Sequence, residues 1–167
     1  MKIISNIILI LFCLTQFAYS DDKVVFLDIN YVLSNSNKGK LILSKLDEKN
    51  KLNLSELKSK EKTLKDLEID LEKKKNIISE QELKNQINQL KSKIIEFRNE
   101  RKKIANEFNS LKKKEISKLM KLINPIIANY VEKNSINLVL DKNKILIGKK
   151  SYDITNDILE LVNKSIK

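Results

Sequence analysis

Hydrophobic residues in the middle of the chain recur at alternating intervals of three and four, the pattern of helices packed side by side. Residues 38–76 contain no proline, and Gly39 is their only glycine. The apolar positions of this frame are Leu43, Leu46, Leu57, Leu64, Leu67, Leu71 and Ile78. Its polar positions are Asn50, Asn53, Lys60 and Lys74. The frame predicts a long helix whose packing face is interrupted and partly exposed.

A second and more regular helical pattern follows. Ser79 and Glu82 have the spacing of a capping box, which marks a helix start. The next frame alternates intervals of four and three without a slip, and Arg101 is its only residue that is not apolar. Its apolar positions are Leu83, Ile87, Leu90, Ile94, Phe97, Ile104, Phe108 and Leu111. The two patterns predict an antiparallel helical hairpin over residues 38–121 with its tip near 73–79, projecting roughly 55–60 Å.

Short β-type segments flank this hairpin. Val24–Ile29 is predicted to be a buried strand, and residues 30–37 a polar turn with a short helical turn. Ile136–Leu140 and Ile145–Ile147 are predicted to be a second and a third strand. Pro125 should kink the returning helix or mark its re-entry into the body.

The C-terminal segment has the pattern of an amphipathic helix. Either Asp153 or Thr155 is predicted to cap it. Its predicted apolar face is Ile158, Leu161, Val162 and Ile166.

The predicted fold class is therefore α+β. Residues 21–37 and 122–167 form a small β-rich oligomerising body, and the hairpin, or tentacle, is inserted between the first strand and the last two strands. Three strands and one short helix make a small core, which indicates that the body completes itself by association with other copies.

The N-terminus has the layout of a secretory signal peptide. Lys2 precedes an apolar run over residues 3–14, and Ala18 and Ser20 are small residues at the −3 and −1 positions of a cleavage site. Residues 1–20 are thus predicted to be removed on export, and Cys13 is lost with them. An uncleaved anchor is disfavoured, because a membrane span takes roughly 20 apolar residues.

Composition argues against an enzyme. The chain has no His and no Trp, and its only cysteine is Cys13. A transition-metal site and the usual thiol and imidazole catalysts are therefore not expected. Gly39 and Gly148 are the only glycines, so a Gly-rich phosphate loop is not expected either. No cofactor is predicted.

The positive charge is concentrated in the hairpin. Residues 38–121 carry 24 Lys and Arg against 14 Asp and Glu, a net charge of +10. Residues 21–37 carry −2 and residues 122–167 carry +2. The abundance of lysine can reflect coding bias and solubility, but its location indicates a local field that attracts acidic partners over about 8–10 Å.

Three segments of the sequence resemble the Skp/OmpH family of periplasmic chaperones. They are Lys23–Asn30 followed by Val32-Leu33, Asn134–Asp141, and Tyr152–Leu159, whose Asp-Ile-Thr is similar to the opening of the family's C-terminal helix. The hairpin resembles the family in pattern and length only.

This resemblance implies a periplasmic homotrimer whose helical tentacles enclose a cavity. In that cavity the protein would hold unfolded outer-membrane proteins without ATP. The resemblance also implies contact with anionic lipid or lipopolysaccharide. The tentacles cannot be aligned residue by residue, so no lipopolysaccharide site is assigned to particular residues.

The predicted client-binding residues are Lys73, Lys74, Lys75, Arg98 and Arg101. Arg101 has an equally good structural interpretation, as an interhelical ion-pair partner or a polar residue that sets the register. Phe97 and Phe108 are predicted to pack between the helices. The alternative function is a structural coiled coil that spaces or tethers envelope layers, and the flanking strands count against it. Nucleic-acid binding is disfavoured by the signal peptide and the few aromatic residues.

Overall fold

The computed structural model describes residues 23–166, and the predicted signal peptide lies outside them. Its elements are β1 (Val24–Leu27), α1 (Ile29–Asn35), α2 (Asn37–Lys74), α3 (Glu80–Lys133), β2 (Leu138–Asp141) and α4 (Thr155–Ser165). Two 3-10 turns, Lys142–Lys144 and Lys150–Tyr152, connect β2 to α4. The protein is mostly helical, with a long helical hairpin and a small two-stranded sheet, as the sequence pattern predicted in outline.

Helices α2 and α3 form the hairpin, which we call the arm. The turn between them spans residues 75–79, and the Ser79 hydroxyl accepts a hydrogen bond from the Glu82 amide at 3.2 Å. This bond satisfies one of the free amides at the start of α3. Helix α3, at 54 residues, is longer than α2, at 38 residues. Its extra length continues through Pro125 into the body, so the proline lies where the helix re-enters the body.

The two strands of the body are parallel. Val24 pairs with Leu138 and Leu27 pairs with Asp141. Parallel neighbours require a long crossover connection, and the whole arm serves as that connection. The body core lies between this sheet, α1, the end of α3 and α4. It consists of Val25, Leu27, Val32, Leu119, Ile123, Ile136, Ile154, Ile158 and Val162.

A close contact joins α1 to α2. Ser36 is fully buried between the two helices, and its hydroxyl accepts a hydrogen bond from the Gly39 amide at 3.1 Å. A Cβ atom at position 39 would lie 1.7 Å from the Leu33 carbonyl oxygen. Glycine is therefore required here so that the backbone of α2 can approach α1.

Helix α3 ends in a Schellman motif. The Ile136 amide donates to the Val131 carbonyl at 3.0 Å and the Ser135 amide donates to the Glu132 carbonyl at 3.2 Å. Ser135 has a φ of 50°, in the left-handed region where glycine is the preferred residue. The motif turns the chain from the helix into β2.

The prediction of a third strand at Ile145–Ile147 is wrong for the described chain. Leu146 and Ile147 are 96% and 89% exposed and pair with no strand among residues 23–166. The 3-10 turn Lys142–Lys144 ends β2, and the segment after it lies beside the sheet without pairing as a strand. The additional backbone pairing of β1 is with Asp153 instead, where the Ile154 amide donates to the Phe26 carbonyl at 3.0 Å.

Two smaller expectations also change. The polar segment 30–37 is mostly helical, because Asp28 caps α1 by accepting a hydrogen bond from the Tyr31 amide at 2.9 Å. The N-cap of α4 is Ile154, not Asp153 or Thr155. The Asp153 carboxylate nevertheless accepts from the Thr155 amide at 3.0 Å, so it satisfies one amide of the first turn.

Candidate functional site: the arm and the body surface

The lysines Lys73, Lys74 and Lys75 lie where α2 ends, at the tip of the arm. Lys74 pairs with Asp70 at 2.6 Å, and Lys75 pairs with Glu72. All three side chains are exposed. Neighbouring carboxylates thus offset part of the positive charge at the tip, and Lys73 is left facing solvent.

The arginines Arg98 and Arg101 are exposed on α3. Arg98 lies 18 residues beyond the start of that helix, or roughly 27 Å along it. The structure therefore does not bring the five predicted residues into one cluster. They form a basic tip and a separate basic region further along the arm.

The interpretation of Arg101 as an interhelical ion-pair partner is wrong, because its neighbour Glu100 makes that ion pair. The Lys60 ammonium pairs with Glu100 across the arm and with Glu56 in its own helix at 2.9 Å. Hydrogen bonds to Glu100 and then Glu56 raise the pKa of Lys60 above its ordinary value. Residues 100 and 101 lie on either side of the line along which α3 contacts α2, because a helix has 3.6 residues per turn and not 3.5. Lys60 attracts the carboxylate of Glu100 and repels the guanidinium of Arg101.

Three adjoining cavities lie along one side of the arm. The first, of 340 Å³, is where Asn53 faces Ile104, Phe108 and Leu111. A second, of 250 Å³, adjoins it at Glu100. A third, of 180 Å³, adjoins the second at Leu67 and Lys93. In the first cavity, apolar side chains of α3 meet the polar side chains Lys49, Asn53 and Glu56 of α2.

The two phenylalanines of the arm, Phe97 and Phe108, are partly buried and line these cavities. They therefore pack between the helices and also border open space. Sequence reasoning missed the cavities. The signal in the sequence was the polar residues of the first apolar frame, of which Asn53 and Lys60 line cavities.

The body also exposes apolar surface, beside the sheet. Val24, Phe26, Leu140, Ile147 and Tyr152 are among the residues that line a cavity of 290 Å³ there. The side chain of Leu138, on β2, is 50% exposed. Strand β2 pairs on only one side among the described residues, so its other edge presents free backbone groups.

The Asp-Ile-Thr segment joins the two ends of the body. The Thr155 hydroxyl accepts from the Asp28 amide at 2.9 Å, and Lys142 pairs with Asp153 at 2.7 Å. Burial alone would raise the pKa of Asp153, but hydrogen bonds from Lys142 and Thr155 outweigh it and lower that pKa below its ordinary value. This segment is therefore a structural connection between β1 and α4.

A second polar contact attaches α4 to α3. The Tyr130 hydroxyl donates to the Asp157 carboxylate at 2.7 Å. Burial and then this hydrogen bond raise the pKa of Tyr130 to about 12. The contact fixes the start of α4 against the end of α3.

Within residues 23–166 no three acidic, histidine or cysteine side chains are grouped closely enough to hold a metal ion. No helix in the same part of the chain is long and apolar enough to cross a membrane.

By its fold, the chain belongs to the class of proteins in which one long helical hairpin projects from a small α+β body. The family model for the OmpH-like outer membrane proteins matches residues 23–162, so the chain belongs to the OmpH-like family. Membership of this family supports a general chaperone role. A search of curated proteins finds no match.

The fold is also similar to that of a solved protein. A crystal structure of an OmpH-like outer membrane chaperone from Caulobacter crescentus matches with a TM-score of 0.75 and 19% sequence identity. The match covers 86% of this chain and 85% of that chain. At this identity the likeness establishes the fold.

Proposed function

We propose that the protein is an ATP-independent periplasmic holdase, which binds unfolded outer-membrane proteins and prevents their aggregation on the way to the outer membrane. The observation that carries this proposal is the combination of family membership with an arm of net charge +10. Along the arm, exposed apolar side chains are interspersed with the lysines. They include Leu52, Leu54, Ile69, Ile77 and Ile95.

Such a surface suits a client with no fixed structure. An acidic unfolded segment meets many lysines, each of which contributes a weak and screened attraction. Exposed apolar residues add short-range contacts with the client's own apolar side chains. Retention then results from many simultaneous contacts and needs no single tight site. Lys73, Lys74, Lys75, Arg98 and Arg101 are our proposed electrostatic contacts.

The test is suppression of aggregation. An acidic β-barrel membrane protein is diluted out of urea with and without the protein, and light scattering is followed in the absence of nucleotide. The proposal predicts that scattering falls to background at a stoichiometric amount of the protein. Scattering unchanged at a tenfold excess would contradict it and favour the alternative of an envelope spacer.

We also propose that the body assembles into a homotrimer. The open edge of β2 and the exposed side chains of Leu138, Leu146 and Ile147 support this, because a second copy would cover them. Deleting residues 50–111 and joining the ends with a short Gly-Ser linker leaves the body. Sedimentation of this variant should give three times the monomer mass, and a folded monomer would contradict assembly through the body.

We also propose that the arm binds anionic lipid or lipopolysaccharide, because its net positive charge attracts anionic head groups. Vesicles with and without an anionic lipid distinguish the charge-driven contact from a general affinity for bilayers. The proposal predicts co-sedimentation with the anionic vesicles only, and it fails if neither kind of vesicle retains the protein.

A further inference from the structure

The two long sides of α3 differ in charge. The polar residues of α3 that line the three cavities form two series with an interval of seven, and we call them together the groove flank. They are Glu82, Gln89, Glu96, Lys103, Gln86, Lys93, Glu100 and Glu107. Four carboxylates and two lysines give this flank a net charge of −2, in an arm whose total is +10.

Another series with the same interval of seven consists of Lys84, Lys91, Arg98, Ala105 and Lys112. Ala105 is its only uncharged member. We call this series the basic flank. Lys84, Lys91, Arg98 and Ala105 each lie two residues from a member of the groove flank, and two residues are about 200° apart around a helix. Lys112 follows Ala105 by seven residues and so lies on the same side as Ala105. The basic flank therefore lies on the opposite side of α3. All of its side chains are exposed, and the ion pairs found within residues 23–166 do not include them.

Helix α2 carries a matching apolar feature. Leu54 is 57% exposed and lies two residues before Glu56, which lines the 340 Å³ cavity. By the same geometry Leu54 lies on the side of α2 that faces away from the cavity. It also follows Asn53, another residue that lines the cavity, so Leu54 and the cavity are at the same height along the arm.

We infer that neighbouring arms of the oligomer close against each other, with the basic flank of one arm on the groove flank of the next. This inference rests on the homotrimer proposed above. Rotational symmetry places the arms at equal height and presents opposite sides of neighbouring arms to each other. Leu54 of one protomer then meets the cavity formed by Ile104, Phe108 and Leu111 of the next. At the same heights Arg98 meets Glu96 and Lys84 meets Glu82.

The occupant of the groove is thus a second copy of this chain. Charge complementarity favours it, because the flanks in contact have opposite signs and screening limits the repulsion between the more distant lysines. Contact would also cover Leu54 and the apolar cavity wall, which are otherwise exposed when no client is bound. A client must then compete with the neighbouring arm for these surfaces.

Disulfide cross-linking tests the contact in the full chain with Cys13→Ser. The variant Leu54→Cys/Glu107→Cys places one thiol opposite the cavity and one at its rim. Because the two thiols are on opposite sides of one arm, oxidation should join different protomers and yield covalent trimers on a non-reducing gel. The matched control is Leu54→Cys/Ala105→Cys, whose thiols lie at the same height but both on the side of the basic flank, and it should yield no trimers.

A charge exchange tests the polar part. Adding Arg98→Glu to the cross-linking variant should lower the yield of covalent trimer about threefold, as expected for loss of one exposed ion pair. Adding Glu96→Arg as well should restore it. Sedimentation of the reduced proteins separates the contact between arms from the homotrimer on which it rests. A trimer that does not cross-link overturns the contact between arms and leaves the homotrimer standing. A monomer overturns the contact and the homotrimer.

Discussion

The Lys60 ammonium in α2 pairs with the Glu100 carboxylate in α3, and this ion pair lies where both helices would otherwise place apolar residues. The side chains are 42% and 36% exposed. Both side chains therefore remain in contact with solvent, and the pair interrupts the apolar contact between the helices.

Replacing this ion pair with Lys60→Leu/Glu100→Leu should stabilise the arm. Two leucines would continue the apolar contact from Leu57 and Leu64 to Phe97, and a paired charge exchanged for packed apolar groups is often neutral to stabilising. We expect the free energy of unfolding in urea to rise, because the new apolar surface is removed from water. The control Asp47→Leu/Lys51→Leu removes a solvent-exposed pair within one helix and should leave this free energy nearly unchanged. A loss of stability in the first variant would show that the pair stabilises the hairpin.

Ser135→Gly should stabilise the body. Ser135 occupies the left-handed position of the Schellman motif, where a side chain costs roughly 1 kcal/mol that glycine avoids. Thermal unfolding should shift upward. In the control Ser117→Gly the glycine is in the interior of α3, where it should lower stability by about 1 kcal/mol. Equal effects of the two substitutions would contradict this explanation.

Gly39→Ala should destabilise the junction of α1 and α2. The new methyl group would collide with the Leu33 carbonyl, which is backbone and cannot rotate away. Overpacking of this kind costs about 1–3 kcal/mol, and chemical denaturation measures it. The exposed helical site Ser59→Ala serves as a control and should be neutral or slightly stabilising. An unchanged midpoint for Gly39→Ala would mean that α1 moves away from α2 at little cost.

Acid should weaken the contact made by Asp153. Its folded pKa lies below the unfolded value, so its contribution is present above the unfolded pKa and is lost as pH falls through the folded pKa. Stability of the wild type and of Asp153→Asn should therefore differ at neutral pH and converge in acid. Unfolding measured at a series of pH values gives this difference. A constant difference across the series would contradict the role of the carboxylate charge.

Much of the arm could be predicted from the sequence because its rules are local. The three-four spacing of leucines and the Ser79–Glu82 cap depend on residues within a few turns of each other. The choice between Glu100 and Arg101 could not be predicted in the same way. It depends on Lys60, which is 40 residues away in sequence and becomes a neighbour only when the helices adopt their register.

The body was harder to predict because its sheet is built from distant segments. Ile145–Ile147 is as apolar as a strand, yet the 3-10 turn at Lys142–Lys144 separates it from β2. Phe26 pairs with Asp153 instead. Short apolar runs do not reveal whether they pair within a chain or remain exposed. The cavities of the arm are similarly hidden, since they depend on which side chains of two helices face each other.

The central claim is that the positive charge of the arm captures acidic unfolded clients. Exposed charges are screened as salt rises, while apolar contacts are not weakened in the same way. The most direct measurement is therefore the affinity for an unfolded acidic β-barrel protein as a function of salt. It is made for the wild type, for Lys73→Glu/Lys74→Glu/Lys75→Glu at the tip, and for the control Lys144→Glu/Lys149→Glu/Lys150→Glu, which makes the same charge change on the body.

We predict that wild-type affinity falls steadily between low and moderate salt and then reaches a plateau set by the apolar contacts. The tip variant should bind more weakly at low salt, and the body variant should bind like the wild type. Affinity that is flat with salt, together with unchanged binding by the tip variant, would contradict the electrostatic account.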